Sequence, residues 1–211
     1  MINEKHDPKL VINDTRKPRK VLSTLLSELR SCDSFRFYVA FVNQQGVASL
    51  LQALTDVEES NIQGKVLVSK YLNFTEPTAL RSLLKFNNIE LRIMTKGGMH
   101  SKGYFFENNN SERYVIGSSN WTASALSKNT ELNVIIETES NSALAQDIEE
   151  EFEHNFERSD PVTELLIKEY EEELEAFQQV RESQQIIESQ SVTKIKPNRM
   201  QEEALESLST L

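Results

Sequence analysis

His100 and Lys102 stand two residues apart in MHSKGYFF, a segment whose pattern predicts a strand. On a strand such residues share a face, so imidazole and ammonium lie side by side while Ser101 points the other way. An adjacent ammonium disfavours protonation of the imidazole and brings three donors for an anion. The pair therefore suits a neutral histidine attacking a phosphate. A second strand-like run, RYVIG, leads into the turn Gly117-Ser118-Ser119-Asn120. Glycine there lets backbone approach a substrate closely. Ser119 and Asn120 add a hydroxyl and an amide for phosphate oxygens. Glu131, at the start of the next strand-like run, is placed to orient an imidazole through its second ring nitrogen.

Such residues need a scaffold that brings strand ends and one loop together. From about residue 20 the segments VLSTLLSELR, FRFYVAFV, VASLLQALTDVEE, KVLVSK, TEPTALRSLLKF and IELRIM alternate between helical and strand-like patterns. That alternation predicts an α/β fold, a mixed, largely parallel sheet flanked by helices, with a C-terminal helical extension. KGYFF and RYVIG, joined by polar ENNNSE, predict a hairpin, and LNVIIET one more strand. The chemical residues then fall at strand ends and in the loop after a strand, where open α/β sheets place ligands.

Beyond residue 140 the periodicity is helical. Leu144, Ile148, Phe152 and Phe156 recur every four residues, which predicts one apolar face on the sheet. Asp160-Pro161 predicts a stop and a restart, with Asp capping and Pro in the first turn of VTELLIKEYEEELEAFQQV. QQVRESQQIIESQSVTK loses the pattern and reads as a linker. No internal repeat is visible.

The net charge of −10 by itself argues against a polyanionic partner. The average hides a split. Residues 1–138 carry 17 Lys and Arg against 14 Asp and Glu, whereas residues 139–211 carry 6 against 19. The acidity belongs to the C-terminal third. Arg16, Lys17, Arg19 and Lys20 cluster around Pro18, either to track a phosphate backbone or as a solvated helix start. The single cysteine, Cys32, forms no internal disulfide, and MINEKHDPKL lacks the basic-then-apolar pattern of a secretory signal; both fit a cytoplasmic location. FRFYVAFV is far shorter than the ~20 residues of a membrane span.

The runs H-S-K-G-Y-F-F-E, G-S-S-N-W-T and N-T-E-L-N resemble the HxKx4D…GSxN…E motif of the phospholipase D superfamily. Within it the chain is most similar to nuclease-like domains fused in front of superfamily-two helicases and to metal-independent restriction endonucleases. The resemblance covers roughly residues 10–158, supported by GKVLVSKYLNFTEP and SSNWTASAL. IKPNRMQEEALESL resembles the opening of a superfamily-two helicase core. This organisation implies a phospholipase D-like domain over residues 1–158, an acidic helical linker over 159–195, and the start of a helicase core over 196–211, with no ATPase activity of its own.

The resemblance implies His100 as the nucleophile of a two-step hydrolysis through phosphohistidine. It implies Lys102, Ser119 and Asn120 holding the non-bridging oxygens, and Glu131 holding the ring tautomer. Glu107 stands where the family has Asp, keeping the carboxylate with one more methylene. Ser118, Trp121, Thr122, Tyr71 and Thr75 are candidate substrate contacts. For Trp121 the alternative is a core anchor, and for Tyr71 and Thr75 it is turn and capping chemistry. The mechanism needs a second histidine to protonate the leaving oxygen, and the chain has one copy of the motif, so a homodimer follows. Neither His6 nor His154 has motif context to serve instead. No cofactor and no metal are expected, since no ligand cluster is visible. The implied partners are DNA and a C-terminal helicase domain, with no membrane. The competing reading is a catalytically silent module for dimerisation and DNA binding; a lipid or small-phosphodiester hydrolase is the third.

Overall fold

The structure, a computed structural model, describes residues 7–14, 20–70 and 73–192. The chain divides into two compact units, residues 1–168 and 169–211. The first is built on one sheet of eight strands, β1 (Lys9–Val11), β2 (Ser34–Val39), β3 (Gln63–Ser69), β4 (Ile89–Met94), β5 (Lys102–Asn108), β6 (Ser111–Gly117), β7 (Asn133–Glu139) and β8 (Asp160–Pro161), in the order β1-β7-β6-β5-β2-β3-β4-β8. The helices are α1 (Val21–Leu29), α2 (Gln44–Glu59), α3 (Pro77–Leu83), α4 (Ala123–Ser127), α5 (Ala143–Glu157) and α6 (Glu164–Val192). Among the described residues, the second unit is the continuation of α6, largely exposed.

The expected parallel character is confined to β2, β3 and β4; every other pairing is antiparallel. The reason lies in the connections. Helical crossovers return the chain in the same direction, as α2 and α3 do, whereas a tight turn forces an antiparallel partner. β5 and β6 are joined by the two-residue turn Asn109-Asn110, with Asn109 at φ 50°, a left-handed conformation that asparagine tolerates. The strands therefore run further into ENNNSE than the composition suggests.

Strand alternation sends two sets of side chains to opposite faces. Phe35 and Phe37 of β2, Tyr104 and Phe106 of β5, and Trp121 form one core, with Phe37 edge-on to Tyr104 and Trp121 at 5.0 Å in each case. Full burial of each such ring contributes about 1.5–3 kcal/mol. On the other face Tyr38, Phe105 and Tyr114 meet Ala145, Phe152 and Phe156 of α5. The α5 stripe is narrower than the four-residue spacing predicts: Ala145 faces the core, whereas Leu144 in the first turn is 41% exposed.

The helix restart predicted at Asp160-Pro161 also differs in the structure. Asp160-Pro161 pairs with β4 as a short edge strand, where the missing proline N–H costs no ladder bond. The helix restarts later, with Thr163 Oγ1 accepting from Leu166 N at 3.2 Å. α6 then runs through the stretch read as a linker, to Val192.

Candidate active site

β2, β3 and β4 all end at the same edge of the sheet, and Ser69, the last residue of β3, ties that edge together. Its hydroxyl donates to Ala40 O at 2.8 Å and to Met99 O at 3.2 Å. The residue after Met99 is His100. Rather than lying in the strand, His100 and Ser101 form the approach to it, because β5 begins at Lys102. The side-by-side pairing survives: Lys102 Nζ lies 3.1 Å from His100 Nδ1 and donates to His100 O at 2.7 Å. Burial holds the Lys102 ammonium below the usual lysine range, and the Glu131 charge pulls it partly back up.

The register carries this pair to the second half of the motif. Lys102 sits opposite Val39 on one side; on the other, Gly103 pairs with Ile116 and Gly117 with Asn133. Gly117 is required by that packing, since a Cβ there would lie 2.2 Å from Leu132 O. Gly117 is nonetheless exposed, so its backbone stays open on the side away from Leu132 and Asn133. In the turn that follows, Ser118 is exposed and donates to a Glu131 carboxylate oxygen, while accepting from Leu132 N at 3.0 Å. Glu131 itself precedes β7, which starts at Asn133. Its charge also reaches the buried Tyr104, whose phenol desolvation pushes well above its ordinary range.

Ser119 points inward. Its side chain is 0% exposed, accepts from Asn133 Nδ2 at 2.9 Å and donates to Ala125 O at 3.5 Å. The hydroxyl presented to solvent is that of Ser118. Asn120 is buried, with Oδ1 accepting from Phe41 N at 3.3 Å and Nδ2 without a protein partner among the described residues. That leaves its two amide donors for a ligand.

Three further sequence candidates belong to the framework. The Trp121 ring is 0% exposed and its Nε1 donates to Gly46 O at 2.9 Å, so no face is open for stacking. Thr122 caps α4 by accepting from Ala125 N at 3.2 Å. Thr75 is buried and donates to Ser69 O at 2.7 Å, the turn chemistry rather than a pocket role. Glu107 lies at the far end of β5 and accepts from Ser34 Oγ at 2.8 Å. Tyr71, His6, residues 16–19 and the helicase-like segment 195–208 lie outside the described residues. The signal for Asn133, the residue that holds Ser119, was its inward parity two positions before Ile135.

A cleft of about 470 Å³ opens beside the pair, lined by Tyr38, His100, Lys102, Phe105, Ile116 and Gly117, with Asp147, Ile148 and Glu151 of α5 on its wall. Cys32 is buried away from it, and burial pushes its thiol up to about 11. Among the described residues, no group of three His, Cys, Asp or Glu is placed to hold a metal ion, and no helix is long and apolar enough to cross a membrane.

The family model described as cardiolipin synthase, PLD-like domain, matches residues 25–156. No curated protein matches the chain. Among solved structures, Nuc from Salmonella typhimurium, a phospholipase D family member, is 19% identical with a TM-score of 0.57, covering 74% of this chain and 99% of its own. NucT from Helicobacter pylori is 16% identical at a TM-score of 0.57, covering 74% and 99%. Phosphatidylserine synthase from Haemophilus influenzae is 11% identical at 0.59, covering 85% of this chain and 47% of its own. At these identities the likeness is one of fold.

Proposed function

The chain belongs to the phospholipase D-like family, its match being the cardiolipin synthase, PLD-like domain, and on that premise we propose that it is a metal-independent phosphodiesterase, a DNA nuclease. The observation that carries the reading is Lys102 Nζ 3.1 Å from His100 Nδ1 at the mouth of a cleft. In this reading a ring nitrogen of His100 attacks phosphorus, the P–O bond to the leaving group breaks, and a phosphohistidine forms. Water then attacks phosphorus, the P–N bond breaks and His100 is returned, the water's proton passing to the group that had protonated the leaving oxygen. Lys102 transfers its donors from the imidazole to a non-bridging oxygen, and Asn120 Nδ2 holds another. Ser118 supplies the hydroxyl, with Ser119 positioning the turn. Glu131 orients the imidazole and fixes Ser118. Each preorganised donor of this kind contributes about 10²–10³ in rate.

The leaving oxygen needs a proton, and one motif supplies one histidine. The proposal therefore includes a homodimer in which the partner's copy of the imidazole acts as the acid. The helicase-like sequence at 195–208 supports a setting in front of a motor domain, in a restriction, defence or repair protein, and the lone buried thiol suits a cytoplasmic location.

The test is incubation with single- and double-stranded DNA in excess chelator, beside His100→Ala, together with solution mass by sedimentation equilibrium. Chelator-resistant cleavage that vanishes in the variant, from a species of twice the chain mass, is expected. Binding without cleavage at any enzyme concentration makes the domain a DNA-binding module instead.

A further inference from the structure

An aromatic pair that no motif announces stands beside Asn120. Phe74 is 54% exposed, and its ring centroid lies 5.3 Å from that of the half-buried Phe41, tilted by 52°. Both are anchored to site residues. Phe41 N donates to Asn120 Oδ1 at 3.3 Å, and Phe41 O accepts from Trp121 N at 3.3 Å. Glu76 N donates to Val42 O at 2.9 Å, laying the Phe74 segment along Phe41. Asn73, at φ 59°, turns the chain just before Phe74, with its N–H on Lys70 O at 2.9 Å. Because the Ser69 hydroxyl bonds both Ala40 O and Met99 O, the residues that follow, Phe41 and His100, leave from one point.

We propose that Phe74, braced by Phe41, is a stacking platform for an unpaired base of single-stranded nucleic acid whose phosphate lies at Asn120 and His100; this rests on the nuclease reading. An apolar ring held in water by a defined turn gains when a flat apolar face covers it. Every base has such a face, which makes stacking tolerant of sequence. Inside a duplex both faces of a base are covered by its neighbours, so an unpaired base is the one that fits. Lys70 follows β3 and the exposed Lys96 follows β4 at the same edge, which brings positive charge to a phosphate backbone. A single tilted pair of rings among cations and an amide suits a base on its phosphate, whereas an acyl chain needs a broader apolar surface.

The test is a binding cycle on the full chain in a His100→Ala background, so that no substrate is consumed. Affinity is read by anisotropy for a labelled single strand and for the same strand carrying abasic sites, with and without Phe74→Ala. Removing the bases or removing the ring is expected to weaken binding roughly 5- to 150-fold each. Doing both is expected to cost no more than either alone, and Phe74→Trp to retain affinity with its fluorescence quenched on binding. Losses that simply add, unchanged affinity in Phe74→Ala, or Phe74-dependent binding to phosphatidylglycerol vesicles in place of the oligonucleotide each overturn the platform. If the chain with His100 intact still cleaves DNA in those cases, the nuclease reading stands alone. If neither single strand nor duplex is bound or cut, both fall.

Discussion

The Asn133 side-chain amide donates to Ser119 Oγ at 2.9 Å, and its carbonyl oxygen accepts from Ser119 N at 3.3 Å, so two adjacent serines have opposite duties. Ser119→Ala strands a buried amide donor and is expected to destabilise the fold by about 1–3 kcal/mol. Ser118→Ala removes an exposed hydroxyl and is expected to leave the melting temperature in place while lowering turnover of a model phosphodiester. Thermal melts and initial rates on both variants check the pair. A rate loss confined to Ser119→Ala reverses the assignment.

In the proposed hydrolysis Lys102 is expected to set an alkaline limit on activity. Burial keeps its folded pKa below the ordinary value of 10.5, so the charge that this reading puts at phosphorus is lost earlier than for a free lysine. Glu131 is the group that pulls this pKa up, so Glu131→Gln is expected to move the alkaline limb of the rate profile to lower pH. The sign for stability is opposite. Between the folded and unfolded values the unfolded chain binds more protons, so stability rises with pH across that window. A pH–rate profile of the variant that keeps its limb in place removes the coupling.

Arg36 holds Glu112 in a buried pair at 3.0 Å and also reaches Glu149 of α5. Burial raises the Glu112 carboxyl above its usual range and Arg36 draws it back. Arg36→Met leaves that carboxylate without its main partner, which typically costs about 3–5 kcal/mol at neutral pH. A raised folded pKa favours the fold only while the group is protonated. The deficit of the variant is therefore expected to shrink as pH falls toward 4.5 and below, and to be largest above the folded value. Urea denaturation at several pH values reads it directly.

Asp147 and Glu151 put two carboxylates on the wall of a cleft that His100 and Lys102 also line. They repel a polyanion. Asp147→Asn with Glu151→Gln is expected to lower KM for DNA about two- to fivefold at low ionic strength, an advantage that salt erases because the Debye length shortens. A KM that rises in the double variant would assign those carboxylates to substrate contact.

Local pattern was enough for much of this molecule. The periods of 2 and 3.6 mark the strands and helices of residues 20–157, because alternation and helical spacing depend on which face of a segment is buried, and each segment carries that record itself. The types and spacing of His100, Lys102, Asn120 and Glu131 are legible as a motif that resembles a family pattern, not through alternation, since His100 precedes β5 and Glu131 precedes β7. Decisions that needed distant chain were not. Trp121 is a core anchor because Gly46, 75 residues earlier, offers its carbonyl, and Ser119 rather than Ser118 turns inward because Asn133 receives it. Phe74 stays 54% exposed yet stands against Phe41, a neighbour 33 residues earlier that only the packing of the segments after β2 and β3 supplies. Direction in the sheet was local at the β5–β6 hairpin, which its turn fixes, but the antiparallel pairing of β5 with β2 joins segments far apart in the chain and is not written in either strand. The sequence specifies which groups exist and how they alternate; which of them meet water, and which meet each other, is settled by burial among residues far apart in the chain.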